Sequence, residues 1–115
     1  MRRPARFPGR LGLQQRVLPR YRAPFFEALA GRCAEGLDLF AGAPRPSEAI
    51  DQADRLESAR WSRAHTLHLL GGGAYFCFQR GLEAWLAAAD PDPLCLEANP
   101  RYLSSPRAIV WMGRL

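Results

Sequence analysis

Two short polar clusters hold the residue types best suited to a ligand: Arg20, Tyr21 and Arg22 in RVLPRYRAPF, and Glu97, Asn99 and Arg101 in LCLEANPRYL. Guanidinium groups suit phosphate or carboxylate, because their planar fork meets two oxygens at once. Glu and Asn suit sugar hydroxyls, the first offering paired acceptors and the second a donor beside an acceptor. Each cluster follows a short apolar run that reads as a strand. If those two strands are neighbours in a parallel sheet, both loops open at its C-terminal edge, where ligands bind in open α/β folds. The same residues can equally brace one loop against the other, with Glu97 paired to Arg22 or Arg101, and Asn99-Pro100 can be a plain turn former.

Other features carry less chemistry. His65 and His68 are three apart in a predicted strand, so they point to opposite faces and cannot share a metal ion. Gly71, Gly72 and Gly73 stand between a strand and a helix, where backbone amides could hold a phosphate. They lack both the Lys-Ser/Thr of a P-loop and the G-x-G-x-x-G spacing, so a flexible turn explains them and no cofactor is called for. Ser104 and Ser105 have no companion His and read as helix caps. Tyr75, Phe76 and Phe78 have no alternating basic stripe, which favours core over base stacking.

The elements that must position the two clusters follow from periodicity. Leu13–Leu18 forms a first strand weakened by Gln14 and Gln15. Pro24 opens a helix with Phe25, Leu29 and Cys33 on its inner stripe and Phe26 and Ala30 beside them. LDLFAG from Leu37 is a second strand. Residues 43–64 are polar and form an irregular excursion with room for one short helix. HTLHLL from His65 is a third strand, and a helix runs from Tyr75 to Ala89, carrying Phe78, Leu82, Trp85 and Leu86 inward. Pro91 and Pro93 end it. Leu94, Cys95 and Leu96 are a fourth strand without polar alternation, as expected for one covered on both faces. A last helix starts near Ser105, with Pro106 at its first position, and turns Ile109, Val110 and Met112 towards the sheet. Alternating strands and helices predict an α/β three-layer, Rossmann-like domain with a parallel sheet in the spatial order 3-2-1-4.

LEANPRYLSSPRAIVWM resembles the fourth strand, loop and following helix of the N-terminal domain of family-four glycosyltransferases, enzymes with two Rossmann-like domains in the GT-B architecture. RVLPRYRAPFFEAL resembles the family's first strand, loop and first helix. Residues 1–12, rich in Arg, Pro and Gly and without periodicity, read as a mobile arm, while the resemblance implies an incomplete acceptor-side domain over residues 13–115. It further implies sugar transfer from a nucleotide-sugar donor to a sugar or lipid-linked acceptor, with retention of configuration. Arg20, Tyr21, Arg22, Glu97, Asn99 and Arg101 would then contact substrate, without a metal. The chain departs from the family in lacking a glycine pair in its first loop, the later strands and the donor-binding domain with its paired glutamates. The fragment alone is therefore expected to be inactive as a transferase.

Composition bounds the alternatives. A chain of 115 residues allows one domain. No apolar run approaches the roughly 18 residues of a membrane span. The net charge of +5 comes from sixteen basic residues, all arginine, of which four fall in the first ten positions. The folded part is thus nearer neutral, which makes nucleic acid a poorer partner than an anionic membrane surface. Three scattered cysteines in apolar surroundings fit neither a disulfide framework nor a zinc site, and suit a reducing cytoplasm or the inner face of its membrane. Two competing expectations are a stand-alone binding module that docks on anionic surfaces, and an inactive gene fragment.

Overall fold

The computed structural model of the chain describes residues 7–44, 48–69, 76–97 and 102–113. Strand β2 (Leu37–Gly42) is buried at every position, the pattern of a parallel strand covered on both faces. It lies between β1 (Leu11–Val17) and β3 (Arg60–Arg63), and β6 (Leu94–Leu96) pairs with the far side of β1. The result is a parallel sheet of four strands in the order β3-β2-β1-β6. Leu13 stands opposite Leu39 on one side and Cys95 on the other.

Period-two alternation divides the core between the sheet's faces. On one face Leu13, Leu37, Leu39 and Ala41 pack with Phe26 and Ala30 of α1 (Ala23–Gly31). On the other, Phe40 packs with Leu82, Trp85 and Leu86 of α2 (Leu82–Ala89) and with Ala108 of α3 (Ser105–Met112). The Phe40 and Trp85 rings stack at 5.2 Å. Burying each large apolar side chain contributes about 1.5–3 kcal/mol, so both helical layers are held mainly by this packing. The α/β class and a four-stranded parallel sheet are present, and the expected strands near Leu37, Leu13 and Leu94 are neighbours in the expected order.

The third sheet strand is not the expected one. It is Arg60–Arg63, inside the stretch expected to be irregular, and it survives its polar sequence because it is an edge. Arg60 forks onto Asp38 of β2, with Nε and Nη2 donating to the two carboxylate oxygens at 2.8 and 2.7 Å. The Trp61 indole donates to the Ala41 carbonyl at 3.2 Å.

His65–Leu69 instead forms β4, paired antiparallel with β5 (Phe76–Arg80) in a separate two-stranded sheet. Hence the helix expected from Tyr75 begins only at Leu82. Residues 76–80 alternate exposed and covered positions with period two, and Gly81, at φ +88°, makes the sharp exit into α2. Gly42 lets the hairpin approach β2, since a Cβ there would collide with the Thr66 hydroxyl. The Gly71–Gly73 run lies outside the described residues.

Three smaller expectations also change. β1 begins at Leu11, and Phe7 is tied to the end of α1, its N–H donating to the Arg32 carbonyl at 2.8 Å and its carbonyl accepting from Ala34 at 2.8 Å. The buried residues of α1 are Phe26 and Ala30, with buried Cys33 just past its end, while Phe25 is exposed; i+4 pairs start from either phenylalanine, so spacing alone does not choose between them. In α3 it is Ala108 that is buried, with Trp111 and Met112 partly so, whereas Ile109 and Val110 are 63% and 68% exposed. The small Ala108 lets α3 close on α2, which turns its neighbours outward.

Candidate functional site

The C-terminal ends of β1 and β6 carry a polar nest that the fold assembles from five separate segments. Gln14 and Arg16 alternate on the β1 face that meets the hairpin, and both are buried, at 1% and 8% exposure. Gln14 donates through Nε2 to Gln79 Oε1 of β5 and accepts from the Glu97 N–H at 3.2 Å. Gln79 in turn donates to the Gln15 and Arg16 carbonyls at 2.9 and 3.3 Å, and its own N–H donates to the Ser104 hydroxyl at 3.2 Å. These amides stitch β5, β1, β6 and the start of α3 together. A buried amide requires such partners, since an unpaired one costs about 1–3 kcal/mol.

Charge is concentrated one residue further along. Arg16 donates through both terminal nitrogens to the two Glu48 oxygens, each at 2.7 Å. Its backbone N–H donates to Glu97 Oε2 at 3.0 Å. The Tyr102 phenol donates to the Glu97 carboxylate and accepts from the Arg16 guanidinium. Burial, reinforced by Glu97 and partly offset by Arg16, pushes the Tyr102 phenol well above its ordinary value. Burial likewise pushes the Cys77 thiol up to about 11, with Arg16 opposing and Glu97 and Glu48 adding to the shift. Cys77 is thus a neutral thiol at physiological pH and no nucleophile.

Among the described residues of the nest one guanidinium, Arg16, stands against two carboxylates, Glu48 and Glu97. Glu97 is half-buried rather than sealed, so a carboxylate with unused lone pairs borders the edge of the sheet. The arrangement suits a hydroxyl or other neutral donor and disfavours phosphate, because a second anion in a partly desolvated site is repelled. Among the described residues no three His, Cys, Asp or Glu side chains stand close enough to hold a metal ion.

The residues singled out from sequence are dispersed. Arg20 lies in a 3-10 turn, Arg20–Arg22, before α1 and pairs with Asp51 at 3.2 Å and Asp54 at 3.4 Å, both on the segment leading to β3. Those carboxylates hold its pKa above the ordinary arginine value. Tyr21 is 81% exposed. Arg22 donates to Gln15 Oε1 at 3.3 Å and lies over the Phe25 and Phe26 rings at 5.9 and 5.1 Å, on the α1 side of the sheet. Glu97 engages Arg16 and Tyr102 instead of Arg22. Asn99 and Arg101 lie outside the described residues. Ser104 precedes α3 as expected, but its hydroxyl serves Gln79 rather than the helix amides.

Sequence reasoning missed Arg16, Glu48, Gln79 and Tyr102. The available signal was Gln14 and Arg16 themselves, polar residues two apart, and so on one face, in the strand LGLQQRV. Comparison of the chain with protein-family models, with curated proteins and with solved structures finds no match.

Proposed function

We propose that the chain is the acceptor-binding, N-terminal part of a retaining glycosyltransferase that uses a nucleotide-sugar donor, and that the nest at the ends of β1 and β6 reads an acceptor hydroxyl. What carries this reading is the place of Glu97. It follows β6 directly, beside the end of β1, where the sheet continues to β2 on one side and to β6 on the other. Crevices at such points in parallel sheets are the usual ligand sites. Glu97 is the acceptor for the sugar hydroxyl, Tyr102 and the Arg16 N–H fix its orientation, and Glu48 neutralises Arg16. The donor's phosphates would be met elsewhere, since among the described residues Arg16, Arg20 and Arg22 near this edge are engaged by Glu48, by Asp51 and Asp54, and by Gln15.

A binding module is the second reading. It is favoured by the exposed apolar surface of Leu103, Ile109 and Val110 on and before α3. Titration of the isotopically labelled chain with neutral mono- and disaccharides separates the two. The first reading expects the Arg16 and Glu97 amide resonances to move with saccharide and not with a nucleoside diphosphate. Unmoved resonances across the saccharide set would overturn it.

A further inference from the structure

At the opposite end of the sheet, a groove of about 320 Å³ is bounded by the starts of β2 and β3 and the last turn of α2. Its polar walls are Arg10, Glu35, Asp38, Arg60 and Ser62, and Trp85 lines it beside Ala88 and Ala89. Arg10 donates one hydrogen, from Nη1, to the Ala89 carbonyl at 2.9 Å. A guanidinium has five N–H donors, so most of its fork is unspent. Arg60 is fixed by Asp38 through Nε and Nη2 and also donates to the Glu35 carbonyl at 3.1 Å. Its Nη1 points past Gly36, where a Cβ would come within 3.0 Å of it. The buried Trp85 indole N–H has no acceptor among the described residues, an uncommon state for a buried donor.

The free side of the Arg10 fork, the Arg60 Nη1 and the Trp85 indole N–H are thus donors without an acceptor among the described residues, while the formal charges of the two arginines and two carboxylates on these walls cancel. We propose that this groove binds a small organic carboxylate, its two oxygens taken by the free side of the Arg10 fork and by the Ser62 hydroxyl. A planar monoanion can accept a charge-assisted N–H bond from the guanidinium on one oxygen and leave the other to the hydroxyl. A phosphate dianion gains less here, since Asp38 and Glu35 oppose the second charge and the α2 C-terminus carries partial negative charge of its own. The site is independent of the β1 and β6 nest, because Asp38 and Arg60 stand at the N-terminal edge of the sheet.

The test is a titration of the labelled chain with acetate, lactate and glycine, and separately with inorganic phosphate, read at the Trp85 indole N–H resonance. That resonance is assigned by its loss in Trp85→Phe. Saturable movement with at least one carboxylate, weaker with phosphate, is expected. Arg10→Gln should weaken the carboxylate at least tenfold, and Ser62→Ala, at an exposed position, should weaken it severalfold with an unchanged melting temperature. No movement with any carboxylate, tighter binding of phosphate, or undiminished affinity in folded Arg10→Gln and Ser62→Ala overturns the proposal.

Discussion

Arg16 and Glu48 meet through both prongs of the guanidinium, two contacts of 2.7 Å between side chains only 9% and 16% exposed. This pair fastens the segment after β2 to the end of β1, across 32 residues of chain. Breaking a nearly buried pair strands the surviving charge. Glu48→Ala should therefore cost about 3 kcal/mol in urea unfolding. Arg16→Met combined with Glu48→Leu should cost clearly less than Glu48→Ala alone, since the desolvation penalty goes with the charges. Equal loss in the single and double variants would show that the pair is not what fastens the segment.

Gln14 and Gln79 provide a second check, because each amide serves the other and a third strand or turn as well. Gln79→Leu and Gln14→Leu should each destabilise by about 1–3 kcal/mol through stranded polar groups. Once one amide is gone the other has less to lose, so the double variant should fall short of the summed costs by about 1 kcal/mol. Strict additivity would mean that the two side chains act separately.

How far these relationships were visible in the sequence depended on whether an element's own residues specified it. LDLFAG announces β2 because a strand buried on both faces must be apolar throughout. RWSR does not announce β3, since an edge strand tolerates charge and Arg60 finds its partner, Asp38, only once the sheet exists. FCFQRGLEAWLAAA satisfies a helical spacing through Phe78, Leu82 and Trp85, yet residues 76–80 form a strand. Gly81 was the punctuation that separates the two. Glu97 was readable as a candidate because it follows a strand. Glu48 was not, because it sits in a polar stretch without periodicity and becomes specific only when Arg16 reaches it.

Cys77 predicts an alkaline instability. Its thiol is raised from 9.0 to about 11 by burial, so between those values the unfolded chain releases a proton that the folded chain keeps. Stability must then fall as pH rises through that window. The loss amounts to on the order of 2 kcal/mol by pH 11 at 1.36 kcal/mol per unit. Tyr102, raised in the same direction, adds to the decline above its ordinary 10.0. Urea midpoints from pH 8 to 10 should drop in the native chain and stay nearly level in Cys77→Val. A flat profile in both would contradict the burial of the thiol.

Glu27 predicts the opposite limb. Burial raises its pKa, but the N–H groups of Glu57, Ser58 and Ala59 outweigh that and hold it below the usual 4.5. Its contribution is complete above 4.5 and is lost as pH falls through the lower folded value. Hydrogen exchange at the three amides should accelerate in that acid range ahead of the core of β2. Glu27→Gln should show the faster exchange already at neutral pH.

Glu97 and Tyr102 separate bracing from binding, since the carboxylate does both in the proposed function. Glu97→Gln keeps the shape and loses the charge-assisted bonds to the Arg16 N–H and the Tyr102 phenol, so it should cost about 1–2 kcal/mol of stability. It should also abolish the saccharide-induced shifts at Arg16. Tyr102→Phe removes the same phenol bond at a similar cost in stability, but leaves the carboxylate in place with one more lone pair free. Saccharide binding should therefore persist in Tyr102→Phe, at equal or higher affinity, while it is lost in Glu97→Gln. Loss of binding in both variants, in step with their loss of stability, would mean that Glu97 only braces the two strands. Retention in both would place the hydroxyl-reading group elsewhere on the sheet's edge.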